Sequence, residues 1–308
     1  YTDDQALVPG AAFPDSGEDA LELNVLDVSF LGEQEGEKDN KDLLDRLSKK
    51  NLGKKEFFTF KTSEGVELNG IMIKPWNFDQ SKKYPVIMYQ YGGPGSQLVK
   101  DQWNIGNCGG AMLEQYLGDQ GYISVIVDGR GTGGRGASFE KQTYLHLGVM
   151  EAKDQVETAI YLQKQSYVDA QRIGIWGWSF GGFNTLMSMS QPQSVFYAGV
   201  AVAPPTSWRF YDTVYTERFM RTPKENKGYE ESAISRAPQL SGELLICHGM
   251  ADDNVHFQNT LLLVGALQRS GVRFELMIYP DGMHGYRGAQ HDHDVSEEHE
   301  FWSKHLLK

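Results

Sequence analysis

This sequence of 308 residues has few cysteines, fewer basic than acidic residues and few long apolar runs. The two cysteines, Cys108 and Cys247, are too few for a disulfide framework or a cysteine zinc site. The 29 Lys and Arg residues are outnumbered by 41 Asp and Glu, and the net charge of −12 argues against a nucleic-acid surface. No apolar run approaches the roughly 18 residues that a membrane span needs. We therefore expect a globular chain with no nucleic-acid partner and no membrane span.

Hydrophobic residues make up 40% of the chain, which is enough for a sizeable core. Residues 1–50 differ from the rest, because they are rich in Asp and Glu and contain little apolar material. An alternating patch at 21–28 predicts a strand, and the pattern of 39–50 predicts a short amphipathic helix. We predict an irregular N-terminal extension, or the remnant of a missing domain, over 1–50 and one large domain over 51–308.

From Lys54 onward, apolar runs of strand length alternate with segments of helix length. The first two runs flank a turn at 63–65 and predict a β-hairpin. The later runs are continuous, as in strands buried on both faces: 85–89, 123–127, 173–176, 198–203, 244–247 and 274–278. Helical patterns cover 149–163, 258–269 and 295–307. This alternation predicts an α/β fold, with helices on both faces of a mostly parallel sheet and active groups at the carboxyl ends of its strands.

The stretch Gly177-Trp-Ser-Phe-Gly-Gly182 lies between an apolar strand pattern and a helix pattern. Strand, G-x-S-x-G and helix together are typical of the nucleophile turn of α/β-hydrolases, in which glycines allow a sharp bend that exposes the serine. A serine hydroxyl also needs a base, usually His, that is oriented by a carboxylate. Ser179 is therefore the candidate nucleophile.

In α/β-hydrolases the acid and then the base follow the serine along the chain. His284 is the candidate base, because it follows a predicted strand and has glycines close on both sides. Spacing alone does not choose the acid, and four aspartates are candidates: Asp212, Asp252, Asp253 and Asp281.

The other histidines receive structural interpretations. His248 precedes the acid loop and is expected to shape a strand-end turn. Four histidines in the polar C-terminal stretch are expected to be solvated surface: His291, His293, His299 and His305. No further ligand joins them at metal-site spacing, so we predict no metal and no cofactor.

Acyl transfer also requires hydrogen-bond donors for the oxyanion. One donor in this fold is the backbone N–H after the nucleophile, here that of Phe180, and another comes from the loop after an early strand. That loop is Tyr91–Ser96, whose glycines permit close backbone approach and whose tyrosine carries a phenolic O–H. Taken alone, the loop equally fits a Gly-Pro turn with a packing tyrosine.

These residues together resemble the prolyl oligopeptidase clan and, within it, the dipeptidyl peptidase IV-like branch. The resemblance covers the chain from about Leu52 to its end. It rests on four motifs, the last two far more specific than G-x-S-x-G: GWSFGG at 177–182, DGRGTG at 128–133, HGMADDNVHF at 248–257 and YDTVYTER at 211–218.

The resemblance implies that Ser179 is the nucleophile, His284 the base and Asp252, the first of the acidic pair, the orienting acid. It implies that Tyr91 and the N–H of Phe180 hold the oxyanion, although Phe180 replaces the tyrosine often found there. The implied substrate contacts are a proline-sized pocket and a residue for the carbonyl of the penultimate position: Trp208, Tyr211, Tyr215 and Val255, then Asn254. Flat aromatic walls suit a pyrrolidine ring.

The implied activity is that of a serine exopeptidase, which releases N-terminal dipeptides ending in proline or alanine through an acyl-enzyme. Peptides with a penultimate proline are then the partners, and a homodimer is expected because homodimers are common in the family. Relatives in bacteria favour a periplasmic or secreted location, which the sequence itself leaves open. The family's pair of glutamates for the substrate's amino terminus lies on a β-propeller, and no stretch here is long enough to form one.

Alternative functions are another peptidase of the same family (tripeptidyl or acylaminoacyl), a carboxylesterase, and a non-catalytic interaction protein. The stretch 129–134 also fits the dinucleotide motif G-x-G-x-x-G, but it does not open a convincing apolar helix. We interpret it as a flexible loop near the active site, with Arg130 available to substrate or partner.

Overall fold

The computed structural model describes residues 40–102 and 113–307. The chain divides into two units, 1–50 and 51–308. In the first unit, helix α1 (Lys41–Ser48) lies within the helix predicted for 39–50, and its Leu43 is exposed. The strand predicted for 21–28 lies outside the described residues, as does Cys108.

The second unit contains eight strands and seven further α-helices among its described residues. The strands are β1 (Lys55–Lys61), β2 (Glu67–Ile73), β3 (Tyr84–Tyr89), β4 (Ile123–Asp128), β5 (Val168–Trp178), β6 (Ala198–Val202), β7 (Glu243–Gly249) and β8 (Glu275–Tyr279). The helices are α2 (Leu113–Asp119), α3 (Ala137–Glu140), α4 (Met150–Gln163), α5 (Phe180–Met189), α6 (Thr213–Met220), α7 (Gln258–Arg269) and α8 (Ala289–Leu306). No described helix is long and apolar enough to cross a membrane.

The strands form one sheet in the order β1-β2-β4-β3-β5-β6-β7-β8. Strand β2 pairs antiparallel with both of its neighbours, and the pairs from β4 to β8 are all parallel. Their carboxyl ends therefore lie along one edge. Three backbone hydrogen bonds connect adjacent strand ends there: Ser179 N–H to Val202 O, Ala203 N–H to Cys247 O, and Met250 N–H to Tyr279 O, each at 2.8 Å.

Alternate residues of the central strands enter two separate apolar cores, because side chains of a strand alternate between its faces. Ile173 and Ile175 of β5 lie in the core covered by α4, α5 and α7. Trp176 of the same strand lies in the other core, with residues of α2 and α8. The predicted mostly parallel sheet with helices on both faces is thus confirmed.

Local patterns located most elements closely. The hairpin is confirmed as β1 and β2, and the pattern of 258–269 matches α7. The C-terminal helix was predicted too short, since α8 begins at Ala289 and not near Val295. Its first turns are polar and lack the apolar periodicity that would mark them as helix.

Candidate active site

Ser179 lies on a sharp turn between β5 and α5. Its backbone has φ 60° and ψ −120°, a conformation that residues with a side chain rarely adopt. A Cβ atom added at Gly177 or Gly181 would lie 2.5 Å from the backbone O of Gln90, so neither glycine can carry a side chain. The turn is therefore held by close backbone packing against the end of β3, as the G-x-S-x-G pattern predicted.

The predicted oxyanion donors lie beside this turn. Phe180 is the first residue of α5, where backbone N–H groups have no acceptor within the helix. The Tyr91 and Phe180 rings are 6.1 Å apart, and a Cβ added to Gly93 would lie 3.2 to 3.4 Å from both rings. The loop after β3 and the start of α5 are thus in contact, as an oxyanion hole of this fold requires.

His284 and Asp252 come from the loops after β8 and β7. The His284 Nδ1 atom is 2.8 Å from the Asp252 Oδ2 atom. Asp253 and Asp281, which spacing could not exclude, are both exposed, and among the described residues neither forms a hydrogen bond or ion pair with His284. Asp212 caps α6, its carboxylate accepting the Tyr215 N–H at 2.9 Å. Of the four candidate acids, Asp252 is therefore the one that contacts the candidate base.

The Asp252 carboxylate is buried yet well supplied with donors. Its Oδ1 accepts backbone N–H bonds from Asn254 at 2.9 Å and Val255 at 2.8 Å. Its Oδ2 also lies 3.3 Å from His248 Nε2. Burial opposes ionisation of this carboxyl, but the hydrogen bonds from His248 and His284 outweigh it, so the pKa of Asp252 lies well below its ordinary value. The group facing His284 is consequently a stable anion.

The His284 backbone is attached to the nucleophile strand. Its carbonyl oxygen accepts a hydrogen bond of 2.8 Å from the indole Nε1–H of Trp178, the residue before Ser179. No hydrogen bond joins Ser179 to His284 among the described residues, and in substrate-free enzymes this contact is often long until substrate binds. The candidate base is thus bonded to both Asp252 and the end of β5.

Four of the five predicted substrate contacts, Trp208, Tyr211, Tyr215 and Asn254, are linked to one another beside Phe180. Trp208 is buried, with ring centroids 5.4 Å from Phe180 and 5.9 Å from Tyr215. Tyr211 packs edge-on against Tyr215 at 5.4 Å, and its hydroxyl donates to Asn254 Oδ1 at 2.8 Å. Val255 follows Asn254 and is fully buried. Burial raises the pKa of Tyr215, so its phenol stays neutral.

His248 has a larger part than the sequence suggested. It does shape the strand-end turn, because its Nε2 lies 2.8 Å from Val255 O and its Nδ1 lies 2.6 Å from Thr260 Oγ1. The same Nε2 also lies 3.3 Å from Asp252 Oδ2, so His248 supports the carboxylate oxygen that His284 contacts. Its position in β7, four residues before Asp252, was the only available signal.

Arg130 does not face substrate or solvent, and the expectation that it is available to a partner is wrong. Its side chain is 5% exposed and its Nη2 lies 2.6 Å from Asp154 Oδ1, with Nη1 2.8 Å from Glu64 Oε2. A buried guanidinium is retained inside a protein when carboxylates satisfy it, and two do so here.

The C-terminal histidines divide into two pairs. His291 and His293 have side chains that are 44% and 51% exposed, as expected for solvated surface. The expectation is wrong for His305, because its side chain is only 10% exposed and bonds Glu275 at 3.1 Å. The expectation is also wrong for His299, since its Nε2 is buried and its ring lies 5.4 Å from the Tyr116 ring. Both turn inward because α8 packs on the sheet. The described residues hold no cluster of three or more His, Cys, Asp or Glu able to bind a metal ion.

Comparisons with known proteins identify the family of this chain. The sequence profile of the prolyl oligopeptidase family matches residues 112–308. Probable dipeptidyl-aminopeptidase B of Colletotrichum graminicola is 44% identical over 258 residues, which cover 81% of this chain and 27% of that protein. The protein of the same name from Trichophyton verrucosum is 47% identical over 230 residues, covering 73% and 25%. This chain therefore spans about a quarter of the length of the curated relatives it matches.

Solved structures give the same likeness. The dipeptidyl peptidase 4 of Porphyromonas gingivalis matches with a TM-score of 0.83 and 48% identity, covering 87% of this chain and 38% of that chain. A putative dipeptidyl aminopeptidase IV of Bacteroides ovatus matches with a TM-score of 0.79 and 38% identity, covering 84% and 36%. These likenesses confirm the predicted α/β-hydrolase fold.

Proposed function

The chain belongs to the prolyl oligopeptidase family and to its dipeptidyl peptidase IV-like branch, and on this premise we propose that residues 51–308 form a serine peptidase that releases N-terminal dipeptides. The observation that carries the proposal is the 2.8 Å hydrogen bond between His284 Nδ1 and Asp252 Oδ2, at the sheet edge where Ser179 lies. This bond fixes the tautomer of His284, so its Nε2 is unprotonated and can accept the Ser179 proton.

Acylation proceeds by attack of Ser179 Oγ on the carbonyl carbon of the substrate's second residue. The hydroxyl proton passes to His284 Nε2, and the carbonyl electron pair becomes an oxyanion held by Tyr91 and the Phe180 N–H. The intermediate collapses as the carbon–nitrogen bond breaks, and His284 returns the proton to the leaving amine. Water then repeats the sequence on the ester, which frees the dipeptide and restores Ser179.

The aromatic cluster supports a proline at the second position. Trp208, Tyr211 and Tyr215 present flat apolar walls, and Val255 is buried beside Asp252. A proline amide has no N–H, so its burial among such side chains leaves no donor unsatisfied. The Asn254 carbonyl oxygen accepts the Tyr211 hydroxyl, which leaves its NH₂ group to donate to a carbonyl oxygen of the substrate.

Chromogenic substrates test the specificity directly. The full chain is assayed with Gly-Pro, Ala-Ala-Pro and acetyl-alanyl p-nitroanilides and with p-nitrophenyl acetate. We expect the Gly-Pro anilide to give the highest kcat/KM of the three anilides. Rapid ester turnover without cleavage of Gly-Pro would overturn the dipeptidase proposal in favour of an esterase, and preference for either other anilide would indicate a different peptidase of the family.

A pair of tyrosine variants tests the proline pocket. Tyr215→Ala removes one wall and should lower kcat/KM for the Gly-Pro anilide at least about 10-fold, because an aromatic side chain contributes this much to apolar binding. Turnover of p-nitrophenyl acetate, whose acyl group does not reach the pocket walls, should change little. The control is Tyr197→Ala, an exposed tyrosine before β6 at the opposite end of the sheet. Equal losses on both substrates would contradict the assignment.

We also propose a homodimer, on the resemblance to a family in which homodimers are common. Sedimentation velocity on the full chain over a range of concentrations tests this. A sedimentation coefficient that stays at the monomer value at the highest concentration would contradict it.

A further inference from the structure

The loop that carries Tyr91 is a folded turn. The Ser96 backbone N–H and hydroxyl both donate to Gly93 O, at 3.0 and 2.6 Å. Gly92 has a φ of 87°, and a Cβ there would lie 2.9 Å from Asn184 Nδ2 on α5. The backbone that carries the Tyr91 ring is therefore held in a defined conformation.

A second loop, residues 128–134 from the last residue of β4 onward, is hydrogen-bonded to this turn. Gly95 N–H donates to Gly131 O at 3.1 Å, and Gly133 N–H donates to Ser96 O at 2.8 Å. A Cβ at Gly133 would lie 2.9 Å from Gly95 O, so the two backbones are in direct contact. This is the stretch whose glycines imitate a dinucleotide motif, and their close approach serves another loop of the same chain.

Asp128, at the start of the second loop, also binds the chain just after the Tyr91–Ser96 loop. Both carboxylate oxygens of Asp128 accept the Leu98 N–H, at 3.1 and 3.0 Å, and Oδ2 accepts the Val99 N–H at 2.8 Å. Asp128 is buried, so these donors stand in for water. Residues 128–134 therefore bond the Tyr91–Ser96 loop at Gly95 and Ser96, and the chain just after it at Leu98 and Val99.

Arg130 anchors the second loop. Its backbone N–H donates to Asp154 Oδ2 at 2.7 Å, and its guanidinium binds the same carboxylate through Nε and Nη2 at 2.6 to 3.1 Å. Nη1 extends to Glu64 in the β1–β2 turn. The Asp154 side chain is fully buried on α4. A planar fork bound on two sides fixes orientation in a way that a flexible ammonium group does not.

We propose that Arg130 is a positioning residue for the oxyanion site: by fixing the 128–134 loop it sets the place of Tyr91 during acyl transfer. The inference rests on the proposed function, which gives Tyr91 its role. The path runs from Asp154 through Arg130 to the carbonyl of Gly131, then through the Gly95 N–H to the Tyr91 turn. Displacement of a catalytic group by about 1 Å can cost about 100-fold in rate, so a small shift of this loop is sufficient.

A double-mutant cycle separates this role from a general structural one. Tyr91→Phe removes one oxyanion donor and should lower kcat by about 100- to 1000-fold. Arg130→Lys keeps the charge, loses the bidentate fork and should lower kcat by about 10- to 100-fold with KM little changed. If Arg130 acts through Tyr91, the double variant is no slower than Tyr91→Phe alone. Losses that multiply, or an unchanged kcat in folded Arg130→Lys, would overturn the proposal.

A second test variant and a matched control check this result. Asp128→Asn weakens the hold on Leu98 and Val99 without touching the Arg130 pairs, and it must show the same loss of additivity with Tyr91→Phe. It decides the question if Arg130→Lys does not fold. The matched control is Arg172→Lys, which alters an ion pair with Asp169 near the start of β5 and should leave kcat unchanged both alone and with Tyr91→Phe.

The readout does not depend on dipeptide specificity. If no anilide is cleaved, the same cycle is run with p-nitrophenyl acetate, or with the rate at which a fluorophosphonate labels Ser179, since both reactions build negative charge on the oxygen that Tyr91 faces. Failure of the dipeptidase proposal therefore leaves the Arg130 result intact.

Discussion

The candidate nucleophile and the candidate acid–base pair of this site are held in place by different means. Ser179 is positioned by backbone alone: a left-handed φ, two flanking glycines without room for a side chain, and the packed end of β3. Asp252 and His284 lie on two loops after neighbouring strands and are positioned by side-chain and N–H hydrogen bonds. One half of the site is steric and the other electrostatic.

This difference predicts how each half fails. A steric turn tolerates loss of the hydroxyl but not an added methyl group next to it. An electrostatic pair tolerates changes of volume nearby but not loss of charge or of a donor. Substitutions in the two halves should therefore differ in their effects on rate, on stability and on its pH dependence.

The largest effect is expected for Ser179→Ala. Removing the nucleophile should lower kcat by about 10⁶-fold, as when serine is removed from other catalytic triads. The fold should stay intact, because alanine adds no atom to the turn. Steady-state kinetics and thermal unfolding measure the two quantities, with Ser270→Ala at the end of α7 as control. Activity within about 10-fold of the unmodified protein would remove Ser179 from the mechanism.

The next effect is expected at the acid. Asp252→Asn keeps the shape but loses the anion that selects the tautomer of His284, so kcat should fall by about 10⁴-fold. The adjacent Asp253→Asn is a matched control, because Asp253 is exposed and should stay within about 3-fold. Kinetic comparison of the two variants decides the choice that sequence spacing left open. A greater loss in Asp253→Asn would reverse the assignment.

A methyl group added beside Ser179 should act mainly by destabilising the fold and only secondarily by impairing the chemical step. Gly177→Ala places a Cβ 2.5 Å from Gln90 O and 2.6 Å from Gly181 C, both backbone atoms that cannot rotate away. We expect the free energy of unfolding to fall by about 3 kcal/mol in urea titrations. Gly265→Ala within α7, where the nearest atom is the mobile end of Arg269, should instead gain about 1 kcal/mol. Equal effects at the two glycines would contradict the steric account.

The smallest effect separates the two halves by pH. The pKa of Asp252 in the folded protein lies below its ordinary value of 3.8, so its contribution to stability is present above 3.8 and is lost as the pH falls through the lower, folded value. Asp252→Asn should therefore cost about 2 kcal/mol at neutral pH, and this difference should shrink below 3.8. Ser179→Ala has no such charge, and its difference from the unmodified protein should not vary with pH. A constant cost of Asp252→Asn across the same range would show that its bonds are not charge-dependent.

Sequence patterns served best where a local rule fixes a local structure. The turn at Ser179 follows from glycine spacing, and the long strands and α7 follow from apolar runs and helical periodicity. The same rules are silent about polar segments, which is why the first turns of α8 were missed. They also misjudged Arg130, because a charged residue among glycines resembles an exposed loop unless its two carboxylate partners, far away in sequence, are known.

The sequence by itself determined the class of fold and supplied the candidate nucleophile and base, since each is carried by residues next to one another in the chain. The tertiary structure decided which aspartate contacts His284, which histidines are buried, and what holds the Tyr91 loop. Those choices depend on hydrogen bonds between residues from about 30 to more than 60 positions apart, such as Asp252 with His284 and Arg130 with Glu64. A buried charge is stable only beside its partners, and which partners meet is fixed by the packing of whole strands and helices.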